Sequence, residues 1–243
     1  MQTRFYIVSG LAVAVSFACG FFLANSLNRA EIRSLANKRA ASANGASSVP
    51  KSDESGLSEK EIEKKLAEAE RNVDDFAFQK GLGLALYQYA AFKGDRKRLE
   101  DVRVLLSRAY SSNPDDYQVI VALANVNFDL GQIRKDEKLN IKARELYQNA
   151  LKKNPKDTHV LGDLGTTYME TSPPEPRKAI PFLDKSFDSD GRNEKVAVQL
   201  AKANLLLKDL KKANEYLEKL KALNPRNPEI GRIQADLEAG GVK

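Results

Sequence analysis

The sequence has no tryptophan, and its one cysteine, Cys19, falls inside an apolar N-terminal stretch. This excludes a disulfide framework within the rest of the chain and any cysteine-bound metal site there. Histidine is equally scarce. His159 stands alone, and no Gly-rich phosphate loop or paired metal-ligand spacing accompanies it, so the inventory for catalysis is missing and neither enzyme activity, a metal nor a cofactor is expected. No sign of charge dominates: 39 Lys and Arg are interleaved with 33 Asp and Glu, for a net charge of +6. No long basic run carries interleaved aromatic residues, so a nucleic-acid partner is not expected. The chain does have 42% hydrophobic residues and a second half dominated by Ala, Leu, Lys and Glu. That mixture builds packed helices, and the fold class is all-α.

From Phe5 to Ala24 the chain carries no charge for twenty residues. At about 1.5 Å per helical residue this matches the roughly 30 Å hydrocarbon layer of a bilayer. After a short tail (residues 1–4), an uncleaved transmembrane helix is expected over residues 5–27, with Arg4 before it and Arg29, Arg33, Lys38 and Arg39 after it. Three alternatives compete with it. A signal peptide cut after Ala18 leaves the continuing apolar run unexplained, a lipid on Cys19 is poorly matched by the preceding Ser16-Phe17-Ala18, and a buried soluble helix suits a shorter run. Ala12, Ser16, Gly20 and Ala24 recur every fourth residue, a small-residue stripe through which a homodimer can form or which simply reflects the composition of spanning helices. The basic residues after the helix favour cytoplasmic repeats, whereas the very short N-tail favours the opposite. The expectation leans to extracytoplasmic, periplasmic repeats, with cytoplasmic repeats as the other outcome.

Residues 28–56 read as a juxtamembrane segment and flexible linker, since AASANGASSVPKSDESG has no apolar periodicity. A capping helix is expected over 57–74, opened by a capping box from Ser58 to Glu61 and burying Ile62, Leu66, Ala69 and Val73 along one side. Beyond it the chain repeats itself. Four junctions, Asn113-Pro114-Asp115-Asp116, Asn154-Pro155-Lys156-Asp157, Asp190-Gly191-Arg192-Asn193 and Asn224-Pro225-Arg226-Asn227, each end one helix with Pro or Gly and supply an Asp or Asn to cap the next. A worn version ends at Asp75. Counted from cap to cap, the units are 75–115, 116–156, 157–192 and 193–226, with periods of 41, 41, 36 and 34 residues, followed by a C-terminal capping helix and tail over 227–243.

Each unit also pairs a large residue with a small one: Leu82-Gly83, Leu123-Ala124, Leu164-Gly165 and Leu200-Ala201. The second helices align Val102, Ala143, Ala179 and Ala213, then Leu106, Tyr147, Leu183 and Leu217, then Ala109, Ala150, Ser186 and Leu220. In this pattern, and in the 34-residue period of the last unit, the chain resembles the tetratricopeptide-repeat family. The first two units depart from it by seven extra residues around AAFKGDRKRLEDV and GQIRKDEKLNIKA, and the third by two around Pro173, Pro174 and Pro176.

The resemblance implies an α-α superhelix, or solenoid, and a concave groove lined by first helices that holds a protein or peptide partner. The matching positions are Lys80 and Tyr87 in the first unit, Gln118, Asn125 and Phe128 in the second, His159, Thr166 and Met169 in the third, and Lys195, Gln199 and Lys202 in the fourth. The carboxylate clamp of some relatives is not expected, because Leu84 stands where the first unit would need Asn. The function this implies is a non-enzymatic, membrane-anchored scaffold that assists assembly of an envelope or membrane complex. The alternative is a self-association module without a foreign ligand.

Overall fold

The computed structural model describes residues 58–240, and these form ten α-helices and one short 3-10 turn, with no strand among the described residues. The expected membrane helix over 5–27, the linker and the small-residue stripe lie outside the described residues. Among those described, no helix is long and apolar enough to cross a membrane. The helices are α1 (Glu59–Arg71), α2 (Phe76–Lys93), α3 (Leu99–Ser112), α4 (Tyr117–Arg134), α5 (Glu137–Lys153), α6 (Thr158–Met169), α7 (Pro176–Ser189), α8 (Glu194–Leu206), α9 (Leu210–Leu223) and α10 (Ile230–Glu238). They fall into two compact units, one ending at Val119 and the other beginning at Ile120.

Each junction is closed by hydrogen bonds of its own. The carboxylates of Asp75, Asp116 and Asp157 accept from the amides of Phe78, Val119 and Val160 at 2.9–3.0 Å, and the Asn193 side-chain Oδ1 accepts from the Val196 amide at 3.2 Å. A short polar side chain thus satisfies one of the amide groups a helix start leaves unpaired, a contribution of about 1 kcal/mol per cap. Asn227 departs from the expected capping role: its side-chain oxygen accepts from the Glu229 amide at 3.0 Å in the turn before α10, whose start carries no side-chain cap.

In the first unit α1 opens with the expected capping box, Ser58 and Glu61 each accepting from the other's backbone. Ile62 and Ala69 are buried, but Val73 is 40% exposed. It differs from the expected stripe because the helix stops at Arg71: the Asn72 side chain donates to the Glu68 carbonyl at 2.8 Å, and the chain turns before Val73 can continue the face. Arg98, buried in the 3-10 turn, holds α1 in place through Glu59 and Glu63 (2.7 Å) while also bonding Asp101 at 3.0 Å. Gln79 on α2 donates to the carbonyls of both Ala69 and Asn72 at 2.8 Å, finishing the end of α1.

In the second unit α6 packs with α7, α8 with α9, and each hairpin packs on the next, while α10 covers α8 and α9 through the fully buried Ile233. All twelve aligned second-helix positions, from Val102 to Leu220, are buried in their own units. The small member of each Leu-small pair sits where two helices cross. At Gly165 an added methyl would meet Leu183, and at Gly83 it would meet Leu106. The longer periods appear as longer hairpins: α2 and α4 each run 18 residues, against 12 and 13 for α6 and α8.

Candidate functional site

The capping residues fix the register of each first helix, and so decide which side chains share a face. In the first unit Lys80 reaches across to Asp116 at 2.7 Å and lies 5.8 Å from the centre of the Phe76 ring. Burial works to raise the Asp116 carboxyl, but the Lys80 ammonium and the Val119 amide outweigh it and hold its pKa below the usual aspartate value. Tyr87 is half-buried further along α2, and Gln118 is exposed at the start of α4.

The second unit sorts its expected site residues into three kinds. Phe128, Thr166, Met169 and Gln199 are buried. Thr166 donates to the Gly162 carbonyl at 2.8 Å, Met169 belongs to the core around Ala179 and Leu183, and Gln199 donates to Glu170 at 3.2 Å. These four hold the helices together and offer a ligand little surface. A first helix is covered both by its own partner and by the neighbouring hairpin, so positions on its face fall partly in the interior.

Asn125 and Lys202 are half-buried and already engaged. The Tyr147 hydroxyl donates to Asn125 Oδ1 at 2.8 Å, and Lys202 pairs with Glu229 at 2.8 Å. That bond to Lys202 lowers the pKa of Glu229. His159 and Lys195 are exposed. Lys195 bonds Asp163 at 3.1 Å and lies 5.9 Å from the centre of the Phe128 ring, yet 56% of its side chain stays in solvent. Lys195, Asp163 and Phe128 are therefore brought together, while His159 joins no acid cluster. No group of three His, Cys, Asp or Glu able to hold a metal occurs among the described residues.

Lys80 in the first unit and Lys195 and Lys202 in the second each hold a carboxylate, so at these positions the first helices are ordered and close to neutral rather than basic. Asp163, Glu170, Glu229 and the Tyr147 hydroxyl position the expected residues, and none of them stands out in the sequence in that role. Their signal is opposite charge or hydrogen-bonding capacity one hairpin away, which becomes visible only when the register between hairpins is known.

No protein-family model matches the chain, and no curated protein matches it. Solved structures do. The structure described in the functional characterization of Pseudomonas aeruginosa pilF matches with a TM-score of 0.52 and 26% identity, covering 65% of this chain and 68% of that one. YrrB, a tetratricopeptide-repeat protein described as having an unusual peptide-binding site, matches with a TM-score of 0.52 at 14% identity over 73% of this chain and 84% of its own. A tetratricopeptide-repeat protein from Parabacteroides merdae matches with a TM-score of 0.56 at 17% identity, covering 74% of this chain and 65% of that chain.

Proposed function

We propose that this chain, a tetratricopeptide-repeat protein, is a membrane-tethered scaffold that binds a polypeptide segment along the first-helix face of its repeats. The observation that carries the reading is the state of the polar side chains on that face in the second unit. Lys195 is held by Asp163 yet more than half exposed, His159 is exposed beside the start of the same hairpin series, and Asn125 is oriented by Tyr147. A side chain such as Lys195, fixed by a neighbour but open to solvent, loses little freedom when a partner arrives, which is how a preorganised surface gains affinity. With its lysines matched by carboxylates, the face suits the amides, carbonyls and apolar side chains of an extended segment better than an acidic one. YrrB, of similar fold, is described as binding a peptide, and the same mode is proposed here. The apolar run from Phe5 to Ala24 would confine capture to a bilayer surface, with the repeats on its extracytoplasmic side, in service of a membrane or envelope assembly.

Site-specific photocrosslinking in intact membranes tests this. A photoreactive residue at position 159 or 195 is expected to give discrete adducts with another protein, and the same residue at the exposed Lys211 of α9 is not. Adducts of equal yield from all three positions, or adducts only with a second copy of the chain, would overturn it. Protease accessibility of the repeats in intact cells reads the proposed side of the membrane directly.

A further inference from the structure

The two departures from the 34-residue spacing within the second unit meet. The first turns of α5, in the lengthened hairpin, and the proline-containing turn after α6 together line an open cleft of 530 Å³. That volume lies within the range of about 300–1,000 Å³ usual for ligand sites. It is separate from the first-helix face, since its walls come from α5, the end of α6, the following turn and the start of α7.

Arg144 builds the cleft and is used up in doing so. Its guanidinium lies 5.2 Å from the centre of the Tyr168 ring and pairs with Glu137 at 2.5 Å and Glu175 at 3.3 Å, with only 13% of the side chain exposed. One arginine thereby ties α5, α6 and α7 together. The other cation, Lys178, is held by Glu175. The cleft thus carries three carboxylates, Glu137, Glu145 and Glu175, against two cations: Arg144, 13% exposed, and Lys178, which pairs with Glu175 yet keeps 62% of its side chain in solvent. Glu145 is exposed and forms no ion pair among the described residues. Beside it in the same cleft, one turn earlier on α5, Ile141 is 45% exposed.

We propose that this cleft is a second binding site and takes a basic side chain, lysine or arginine, projecting from a partner polypeptide. An aliphatic stem ending in a cation is the chemistry that fits an apolar ledge one helical turn from an unspent carboxylate. Anionic groups would meet three carboxylates against one exposed lysine that already pairs with Glu175. Neutral apolar groups would cover Ile141 but leave Glu145 to lose water without a partner.

The test uses the full-length chain in lipid nanodiscs with ¹³C-labelled isoleucine methyl groups, observing Ile141 by nuclear magnetic resonance. The probes are three peptides, acetyl-Leu-Arg-Leu-amide and its norleucine and glutamate counterparts at the central position. The arginine peptide is expected to shift the Ile141 methyl saturably and at least threefold more tightly than the norleucine peptide, with the glutamate peptide weakest. In Glu145→Gln, which changes an exposed side chain and should leave the melting curve unmoved, that preference is expected to vanish. Equal titration by all three peptides, a preference that survives in Glu145→Gln, or shifts shared by every isoleucine methyl would overturn the proposal. Lys195→Ala should leave the Ile141 titration unchanged, so failure of the first-helix site and failure of the cleft are told apart.

Discussion

Gly165 on α6 faces Leu183 on α7 so closely that a Cβ at 165 would stand 2.5 Å from Leu183 Cγ and 3.2 Å from the Ala179 carbonyl oxygen. The hairpin owes its closeness to a missing methyl group.

Gly165→Ala is therefore expected to destabilise the protein by about 1–3 kcal/mol, the usual cost of overpacking, despite alanine's better helix propensity. Gly231 in α10 supplies the contrast, with nothing within 4 Å of an added Cβ. Gly231→Ala should raise stability by roughly 0.5–1 kcal/mol. Urea unfolding of both variants checks the pair, and a Gly165→Ala protein as stable as wild type would mean the two helices can separate at no cost.

Lys135 caps the end of α4 with φ of +53°, a left-handed conformation that a side chain disfavours. One 41-residue period earlier, Gly94 holds the same position at the end of α2 with φ of +67°. Lys135→Gly should relieve about 1 kcal/mol of local strain, less whatever the more flexible unfolded chain takes back. A small rise in thermal midpoint is the expected result.

Arg98 is the fastening of α1. Removing it in Arg98→Ala leaves Glu59, Glu63 and Asp101 facing one another without a cation and is expected to cost about 1.5–3 kcal/mol locally. Hydrogen exchange in residues 59–71 should quicken well before exchange in α3 changes. Uniform acceleration across the first unit would instead make α1 integral to its core.

Asp116 sets a pH dependence. Its folded pKa lies below the ordinary aspartate value of about 3.9, so its stabilisation is complete above that value and is lost as pH falls through the depressed folded pKa. Asp116→Asn keeps a capping oxygen for the Val119 amide but loses the Lys80 pair. Its stability at neutral pH should drop by up to about 1 kcal/mol, and the difference from wild type should close in acid. A difference that stays constant between pH 7 and pH 2 would show that the ion pair contributes nothing.

The parts of the fold legible in the sequence are those written locally. Asp75, Asp116, Asp157 and Asn193 could be assigned as caps because a helix start needs a short polar acceptor at one position, whereas the side-chain oxygen of Asn227 accepts within the turn before α10. Leu106, Tyr147, Leu183 and Leu217 could be aligned because each must meet the small residue of its own hairpin. Val73 was not legible, since the turn at Asn72 interrupts an otherwise regular stripe. The site was harder still. Thr166 and Gln199 are polar residues that bond within the packed hairpins, and from sequence they look the same as polar residues facing a ligand. The cleft beside Arg144 depends on two insertions meeting in space, a relation that no spacing along the chain records.

The closed junctions also govern where the chain can be cut and extended. At Asn113 to Asp116 the side chain of Asn113 accepts from the Asp115 amide, its carbonyl accepts from the Asp116 amide, and Asp116 in turn accepts from Val119, and a comparable knot recurs at 190–193 and 224–227. Opening any of them frees a helix start and breaks the stacking rhythm. Gly94, by contrast, is exposed and already lies within an extension, so an epitope or fluorescent reporter belongs there, ahead of Asp95, whose side chain accepts from the Lys97 amide at 3.1 Å and caps the turn that carries Arg98.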